Sequence, residues 1–314
     1  MMSFSGETKN ELSRLEPDKK CCMLAEISGF LRVSGSIRLA GMGKLRLVVT
    51  TENPAVARHF KKLIKEYFQV DTELEVEECP PPKKGHQYSL SIGPEMRSEQ
   101  ILRETGILLV REGNNYISDG IYSDLIRTKC CKKSYLRGIF MGAGTMNDPE
   151  NSYHLEFVCN SMNLANDLKK LINGFVDLTA KVVERKGQYV VYMKKAEYIS
   201  DTLALMGAHT QVLEFENVRL KKELMNETVR ITNCDAANTD RTLDASQRQI
   251  ENIRKIERIK GLDYLPEKLK QAALMRLEYP EASLVQLGEM MDPPMKKSGI
   301  NNRFRKIEEI ANKL

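Results

Sequence analysis

The sequence predicts an α+β fold in which two copies of a small α/β unit precede an all-α helix-turn-helix domain. Three observations lead there. Residues 20–36 (KCCMLAEISGFLRVSGS) and 129–145 (KCCKKSYLRGIFMGAGT) align without a gap, Cys130 and Gly144 each lying 109 positions beyond Cys21 and Gly35. Each copy is followed by an alternating apolar stretch (residues 44–50; 153–159) and then by a helix containing KKLI (61–64; 169–172). From about Glu214 the two-residue alternation disappears and helical periodicity takes over. The division expected is 1–110 and 111–213 for the two repeats, 214–262 for a helical linker and 263–314 for the helix-turn-helix domain.

The totals set wide bounds. A chain of 314 residues, 41% hydrophobic and 29% charged, is long enough for two or three domains with ample cores. Nothing in it resembles a membrane span. The opening MMSFSGETKNELSRLEP lacks the basic start, apolar run and small-residue cleavage site of a secretory signal, which predicts a cytoplasmic protein. Seven cysteines, with two adjacent pairs, make a poor disulfide framework and fit a reducing compartment. A net charge of +5 permits a polyanionic partner without demanding one, so the placement of charge decides more than its total.

Each repeat opens with a helix whose later turns carry small residues: Ser28, Gly29, Ser34 and Gly35 in the first, Gly138, Gly142, Ala143 and Gly144 in the second. A glycine inside a helix costs about 1 kcal/mol against alanine. Two helices that both accept this cost are explained if their backbones pack closely, with Gly29, Gly35, Gly138, Gly142 and Gly144 at the contact. Left-handed helix caps would account for Gly35 and Gly144 alone. Residues 44–50 and 153–159 predict strands, as do GHQYSLSI (85–92) and GQYVVYM (187–193). Helices are expected near 54–68 and 164–175, with a last helix in each repeat at 97–105 and 196–206. Residues 73–84, which contain ECPPPKKG, read as a turn or loop because of their prolines.

ISGFLRVSGS (27–36) and LRGIFMGAGT (136–145) resemble the LAGLIDADG motif of homing endonucleases. The resemblance implies two such helices packed at a pseudo-two-fold axis, with saddle-shaped sheets on either side. In that family the acidic residue before the final glycine holds the divalent metals that hydrolyse DNA. The matching positions are Ser34 and Ala143, neither a useful ligand for Mg²⁺, and two-metal chemistry needs carboxylates at that junction. Among nearby acids, Glu26 lies more than two turns upstream of Ser34, and Asp148, before Pro149, reads as a turn residue. The expectation is a scaffold without catalytic residues, metal or cofactor.

Cys21, Cys22, Cys130 and Cys131 could meet near the axis, where four thiolates would suit zinc. Adjacent residues on a helix point about 100° apart, however, and the C-x-x-C spacing of structural zinc sites is missing, so small buried apolar residues are the preferred reading. His59, His86, His154 and His209 form no ligand or nucleophile-base arrangement.

In the tail, residues 241–260 carry Ile250, Ile253, Ile256 and Ile259 as an apolar stripe, and Gly261 is a natural stop. Its charged residues balance in sign, so its outer face reads as solvated. Three short helices follow: 267–279 after Pro266, 284–291 with Ser283 as N-cap, and 297–313 after Asp292-Pro293-Pro294. Gly288 is placed where a tight helix crossing needs a small residue. On the last helix, at 100° per residue, Ile300, Phe304, Ile307 and Ala311 share one face and Ser298, Asn302 and Arg305 the opposite one, flanked by Asn301 and Lys306. Asn and Arg have the forked donors and acceptors that read adenine and guanine edges. Residues 294–306 hold five basic residues (Lys296, Lys297, Arg303, Arg305, Lys306) and no acid. Candidate DNA contacts are therefore Lys296, Lys297, Ser298, Asn301, Asn302, Arg303, Arg305 and Lys306, with Ser283 and Gln286 on the preceding helix. A solvated basic helix end is the plain alternative.

YLRGIFMGAGTMNDP (135–149), NCDAAN (233–238) and KSGINNRFRKIEEIA (297–311) are similar to the WhiA family of bacterial sporulation and cell-division regulators, a resemblance covering nearly the full chain. It implies double-stranded DNA binding through the tail, no nuclease activity, nucleoid association, and a role in sporulation-linked transcription or in division and chromosome segregation. A single short helix reads few base pairs, so a protein partner, a second subunit or the duplicated half would have to add contacts. Rival readings are a protein-interaction scaffold with weak non-specific DNA binding and a metal-dependent endonuclease.

Overall fold

A computed structural model describes residues 3–41, 43–78 and 85–314, which form two compact units, 1–221 and 222–314. The first unit contains both repeats. Its chain order is α1 (Phe4–Leu12), α2 (Lys20–Ser34), β1 (Gly35–Leu39), β2 (Leu45–Thr51), α3 (Pro54–Phe68), β3 (Glu73–Glu78), β4 (His86–Ile92) and α4 (Ser98–Glu104), then the hairpin β5 (Leu108–Arg111) and β6 (Asn114–Ile117). The second repeat follows as α5 (Lys129–Ala143), β7 (Gly144–Met146), β8 (Leu155–Cys159), α6 (Met162–Asn173), β9 (Lys181–Arg185), β10 (Gln188–Met193) and α7 (Ala196–Met206).

The duplication is visible in the sheets. Both are antiparallel with the same strand order, β1-β2-β4-β3 and β7-β8-β10-β9. Local sequence explains the starts of the flanking helices. The Asn53 side chain accepts hydrogen bonds from the amides of Ala55 and Val56, with Pro54 in the first turn of α3, and Ser161 caps α6 through the Leu164 amide. Both helices bury one stripe, Val56, Phe60, Leu63 and Ile64 in α3 and Leu164, Leu168, Leu171 and Ile172 in α6. A single apolar cluster joins the two repeats, running from Phe30 and Phe60, stacked at 3.7 Å, to Phe140 and Phe157.

Residues 73–78 are not a loop. They form β3, paired in register with β4 from Glu73 opposite Ser91 to Glu78 opposite His86. Four glutamates along this edge strand mask the alternation of Leu74 and Val76, and charge on an edge blocks further pairing. The proline-rich 79–84 lies outside the described residues. Short β1, β7 and β9 and the β5–β6 hairpin carried too little apolar signal to be predicted.

α8 (His209–Lys260) is one helix of 52 residues, which runs through the helical stretch expected from about Glu214 and joins the 241–260 stripe without a break. The second unit adds α9 (Glu267–Glu278), α10 (Leu284–Met290) and α11 (Lys297–Lys313). Its core collects Ile253, Ile256, Leu269, Ala273, Leu287, Ile300, Phe304, Ile307 and Ala311. Of the isoleucine stripe, Ile253 and Ile256 are buried while Ile259 is 44% exposed, since the final turn of α8 runs past that core. Arg276 is buried in it, its guanidinium donating to Gln249 Oε1 (3.0 Å) and to the carbonyls of Pro280 (3.2 Å) and Ala282 (2.6 Å). Those bonds hold the α9–α10 turn.

Candidate nucleic-acid interface and the degenerate helix pair

α2 and α5 pack side by side across the repeats. A β-carbon on Gly29 would collide with the Tyr135 carbonyl oxygen, and one on Gly138 with that of Glu26. Gly142 faces Val33 and Ser34. Only glycine allows backbones this close. Gly35 and Gly144 differ from the expectation. A β-carbon on Gly35 would meet first the Leu31 carbonyl, and one on Gly144 the Phe140 ring, so each is crowded by its own helix. Both have extended backbone (φ −87° and −77°), marking a direct passage from helix into β1 or β7 rather than a left-handed cap.

Ser34 and Ala143 end α2 and α5. The acids nearby are committed elsewhere. Glu26 is fully buried, with Oε1 2.7 Å from His59 Nε2 and Oε2 held by the Arg137 guanidinium, whose Nε donates at 2.8 Å. This ion pair ties the first repeat to the second; Arg137 also donates to the Met206 carbonyl (3.3 Å). Asp148 occupies a turn, its Oδ1 accepting from the Glu150 amide at 2.9 Å. Ser28 donates to the Thr105 carbonyl (2.8 Å) and Arg32 to that of Gly106 (2.8 Å), fastening α2 to the segment after α4. Burial pushes the Tyr135 hydroxyl up to about 12.

The sheet faces turned away from the core carry mixed charge. On the first, Arg38 and Arg46 share the face with Glu73, Glu75 and Glu77; on the second, Lys181 and Arg185 share it with Glu156. Glu156 is further engaged by His154 (2.9 Å) and Arg185 (3.6 Å). Among the described strand residues the four basic and four acidic side chains balance, so these faces carry no excess positive charge for a phosphate backbone. In an open cleft bordered by α1, Lys9 is held down to about 8, by burial first and against the opposing pull of Glu52.

The cysteine pairs, expected to point apart, come together: Sγ atoms of Cys21, Cys22 and Cys131 all lie within 4.8 Å of one another. They sit in the first turns of α2 and α5, where side chains from both helices converge. Burial pushes the Cys22 thiol up to about 12, while the Thr128 hydroxyl, 3.1 Å from Cys130 Sγ, draws Cys130 down to about 7.

In the second unit α10 and α11 form the expected pair. Ser283 accepts from the Gln286 amide and the Gln286 side chain accepts from the Ser283 amide (2.8 Å), a capping box that occupies both side chains. Gly288 serves the connection rather than a helix crossing. A β-carbon there would strike the Met295 carbonyl, and the Met295 amide donates to the Gly288 carbonyl at 2.8 Å. On α11, Ile300, Phe304, Ile307 and Ala311 are buried, and Lys296, Lys297, Ser298, Asn301, Asn302, Arg305 and Lys306 are exposed. Among the described residues none of these seven exposed side chains has a hydrogen-bond or ion-pair partner. Arg303 is half-buried and donates to the Lys268 carbonyl (3.1 Å), which fixes it beside α9. No side chain caps the start of α11, so its first amides remain available to an anion.

These features define a class: a duplicated LAGLIDADG-like unit whose acid positions are lost, joined to a helix-turn-helix domain. Family models match three successive segments: the WhiA N-terminal LAGLIDADG-like domain at 20–108, the WhiA LAGLIDADG-like domain at 132–225 and the WhiA C-terminal HTH domain at 228–311. The "Probable cell division protein WhiA" of Alkaliphilus metalliredigens is 45% identical over 99% of this chain and 98% of its own length. That of Alkaliphilus oremlandii is 47% identical over 100% and 98%. The chain belongs to the WhiA family. The crystal structure of full-length WhiA from Thermatoga maritima is 24% identical, covers 100% of this chain and 99% of its own, and has a TM-score of 0.60, a likeness of fold.

Proposed function

We propose that the protein is a non-enzymatic, nucleoid-associated DNA-binding regulator that acts in bacterial cell division, as the names of its relatives say of them, and in chromosome segregation or sporulation-linked transcription. The observation that carries this reading is the outer face of α11. It presents Ser298, Asn301, Asn302, Arg305 and Lys306 with no internal partner and no acid before Glu308. Lys296, Lys297 and Arg303 position the domain by phosphate contacts, and Ser298, Asn302, Arg305 and Asn301 touch bases. Ser283 and Gln286, at the start of α10, stand where a helix end approaches the backbone. Residues 263–314 form the binding domain in this reading, with 214–262 as a helical connection from repeats at 1–110 and 111–213.

Two facts support leaving the first half out of DNA chemistry. Ser34 and Ala143 hold no carboxylate, and Glu26 is consumed by His59 and Arg137. The electrically balanced sheet faces support giving that half to a protein partner or second subunit rather than to a duplex. Genome-wide crosslinking of the tagged protein tests the reading: discrete occupied sites that vanish in an Asn302→Ala/Arg305→Ala strain are expected, and unchanged or featureless occupancy would refute it. Incubation with plasmid and Mg²⁺ or Mn²⁺ should yield no cleavage.

A further inference from the structure

The adjacent cysteines have no part in that function, yet they are assembled like a site. The Sγ atoms of Cys21, Cys22 and Cys131 lie within 4.8 Å of one another, and the half-buried Cys130 adjoins Cys131 with its Sγ 3.1 Å from the Thr128 hydroxyl. Packing alone explains this poorly. A cysteine used as an apolar residue is buried, as Cys159 is, but Cys21 is exposed and Cys130 only partly covered. The duplication is selective as well. Across the seventeen aligned positions of the two helix segments, identity survives at Lys-Cys-Cys and at two glycines, one of them at the helix crossing (Gly29 and Gly138) and the other at the passage into a strand (Gly35 and Gly144).

We propose that Cys21, Cys22 and Cys131, with Cys130 as fourth ligand, form a thiolate site for one thiophilic divalent cation, of which Zn²⁺ is the natural member, clamping the two repeats together at the N-terminal ends of α2 and α5. Tetrahedral Zn²⁺ with Zn–S about 2.3 Å needs sulfurs about 3.8 Å apart, close to the separations of Cys21, Cys22 and Cys131, and Cys130 joins them by leaving its contact with the Thr128 hydroxyl. Ligation displaces the thiol protons to solvent, leaving thiolates on the metal. Two helix N-termini meet there, and Lys20 and Lys129 precede the pairs, so positive potential offsets the excess thiolate charge. The site lies at the opposite end of the helix pair from Ser34 and Ala143. It is therefore a structural clamp, independent of the lost nuclease positions.

The test uses the full-length protein, reduced and stripped with chelator, titrated anaerobically with Co²⁺. The expected result is thiolate-to-cobalt charge transfer in the near ultraviolet with the visible bands of tetrahedral cobalt, saturating at one equivalent and bleached by Zn²⁺, together with a higher Tm in Zn²⁺. Cys21→Ser and Cys131→Ser should each weaken uptake by roughly tenfold or more, on the scale of lost metal-site partners. Cys130→Ser should shift the visible bands, and Cys159→Ser and Cys234→Ser should change nothing. Circular dichroism verifies that each variant is folded. No tetrahedral bands in excess Co²⁺, or bands that survive Cys21→Ser and Cys131→Ser together, would overturn the proposal. So would a disulfide joining the two pairs in aerobically prepared protein that takes up no cobalt after reduction.

Discussion

The α2–α5 pair and α11 use polar residues in opposite ways. Where the two helices cross, the buried charges are spent internally: Glu26 lies between His59 and Arg137, and Arg32 is turned onto backbone carbonyls. On α11 one face is spent on the core and the other, with its Asn and Arg side chains, is left to solvent. A buried charge with satisfied partners holds a structure together, whereas an exposed, unpartnered set of forked donors is available to an outside ligand. At the ends of the two helices this chain has Ser34 and Ala143 rather than carboxylates, and Glu26, more than two turns upstream, joins the repeats.

The largest effect expected is at that joint. Arg137→Ala would leave Glu26 buried beside a single histidine and should destabilise the first unit by about 3–5 kcal/mol, read from urea midpoints, with no comparable loss in the second. If Arg137→Ala were neutral, the ion pair would not be the joint. Gly138→Ala, which drives a methyl group into the Glu26 carbonyl, should lower stability by roughly 1–3 kcal/mol, while Gly113→Ala in the β5–β6 turn meets no neighbour and is strained only by its positive φ (78°). On the other side of the comparison, Asn302→Ala and Arg305→Ala should each cost about 1–3 kcal/mol at a cognate duplex and leave the melting temperature alone. Lys297→Ala should weaken binding to all sequences alike and flatten the salt slope by about 1.

The smallest effect concerns pH. Lys9 has its pKa lowered in the folded chain, from 10.5 to about 8. Between those values the unfolded chain binds the extra proton, so stability rises with pH through this window. Lys9→Met should remove that rise and leave the first unit no less stable at pH 7. An unchanged pH dependence would show that the cleft keeps Lys9 solvated.

Much of this architecture was legible because the signals were local or repeated. Helices are expected at 54–68, at 196–206 and, after the Asp292-Pro293-Pro294 turn, at 297–313, and their observed ends agree. The inward face of α11 followed from 100° spacing alone. β3 was hidden because its four glutamates answer to an edge position that only the assembled sheet defines. The joint was equally hidden, since Glu26, His59 and Arg137 lie on three helices with no shared spacing. The cysteines are paired by position in the sequence, but the directions of their side chains are not written there. The rotation of two helices about their contact decides which thiols converge, and that rotation is set by Gly29 and Gly138.

Whether α11 is the DNA surface is decided by equilibrium titration of a duplex recovered by crosslinking, against the intact protein and two variants. Asn302→Ala/Arg305→Ala should lose at least about tenfold in affinity and become indifferent to sequence, while Arg46→Ala/Lys181→Ala on the sheet faces should bind as the parent does. If the sheet variant lost the duplex and the α11 variant kept it, the DNA surface would lie on the duplicated half and not on α11.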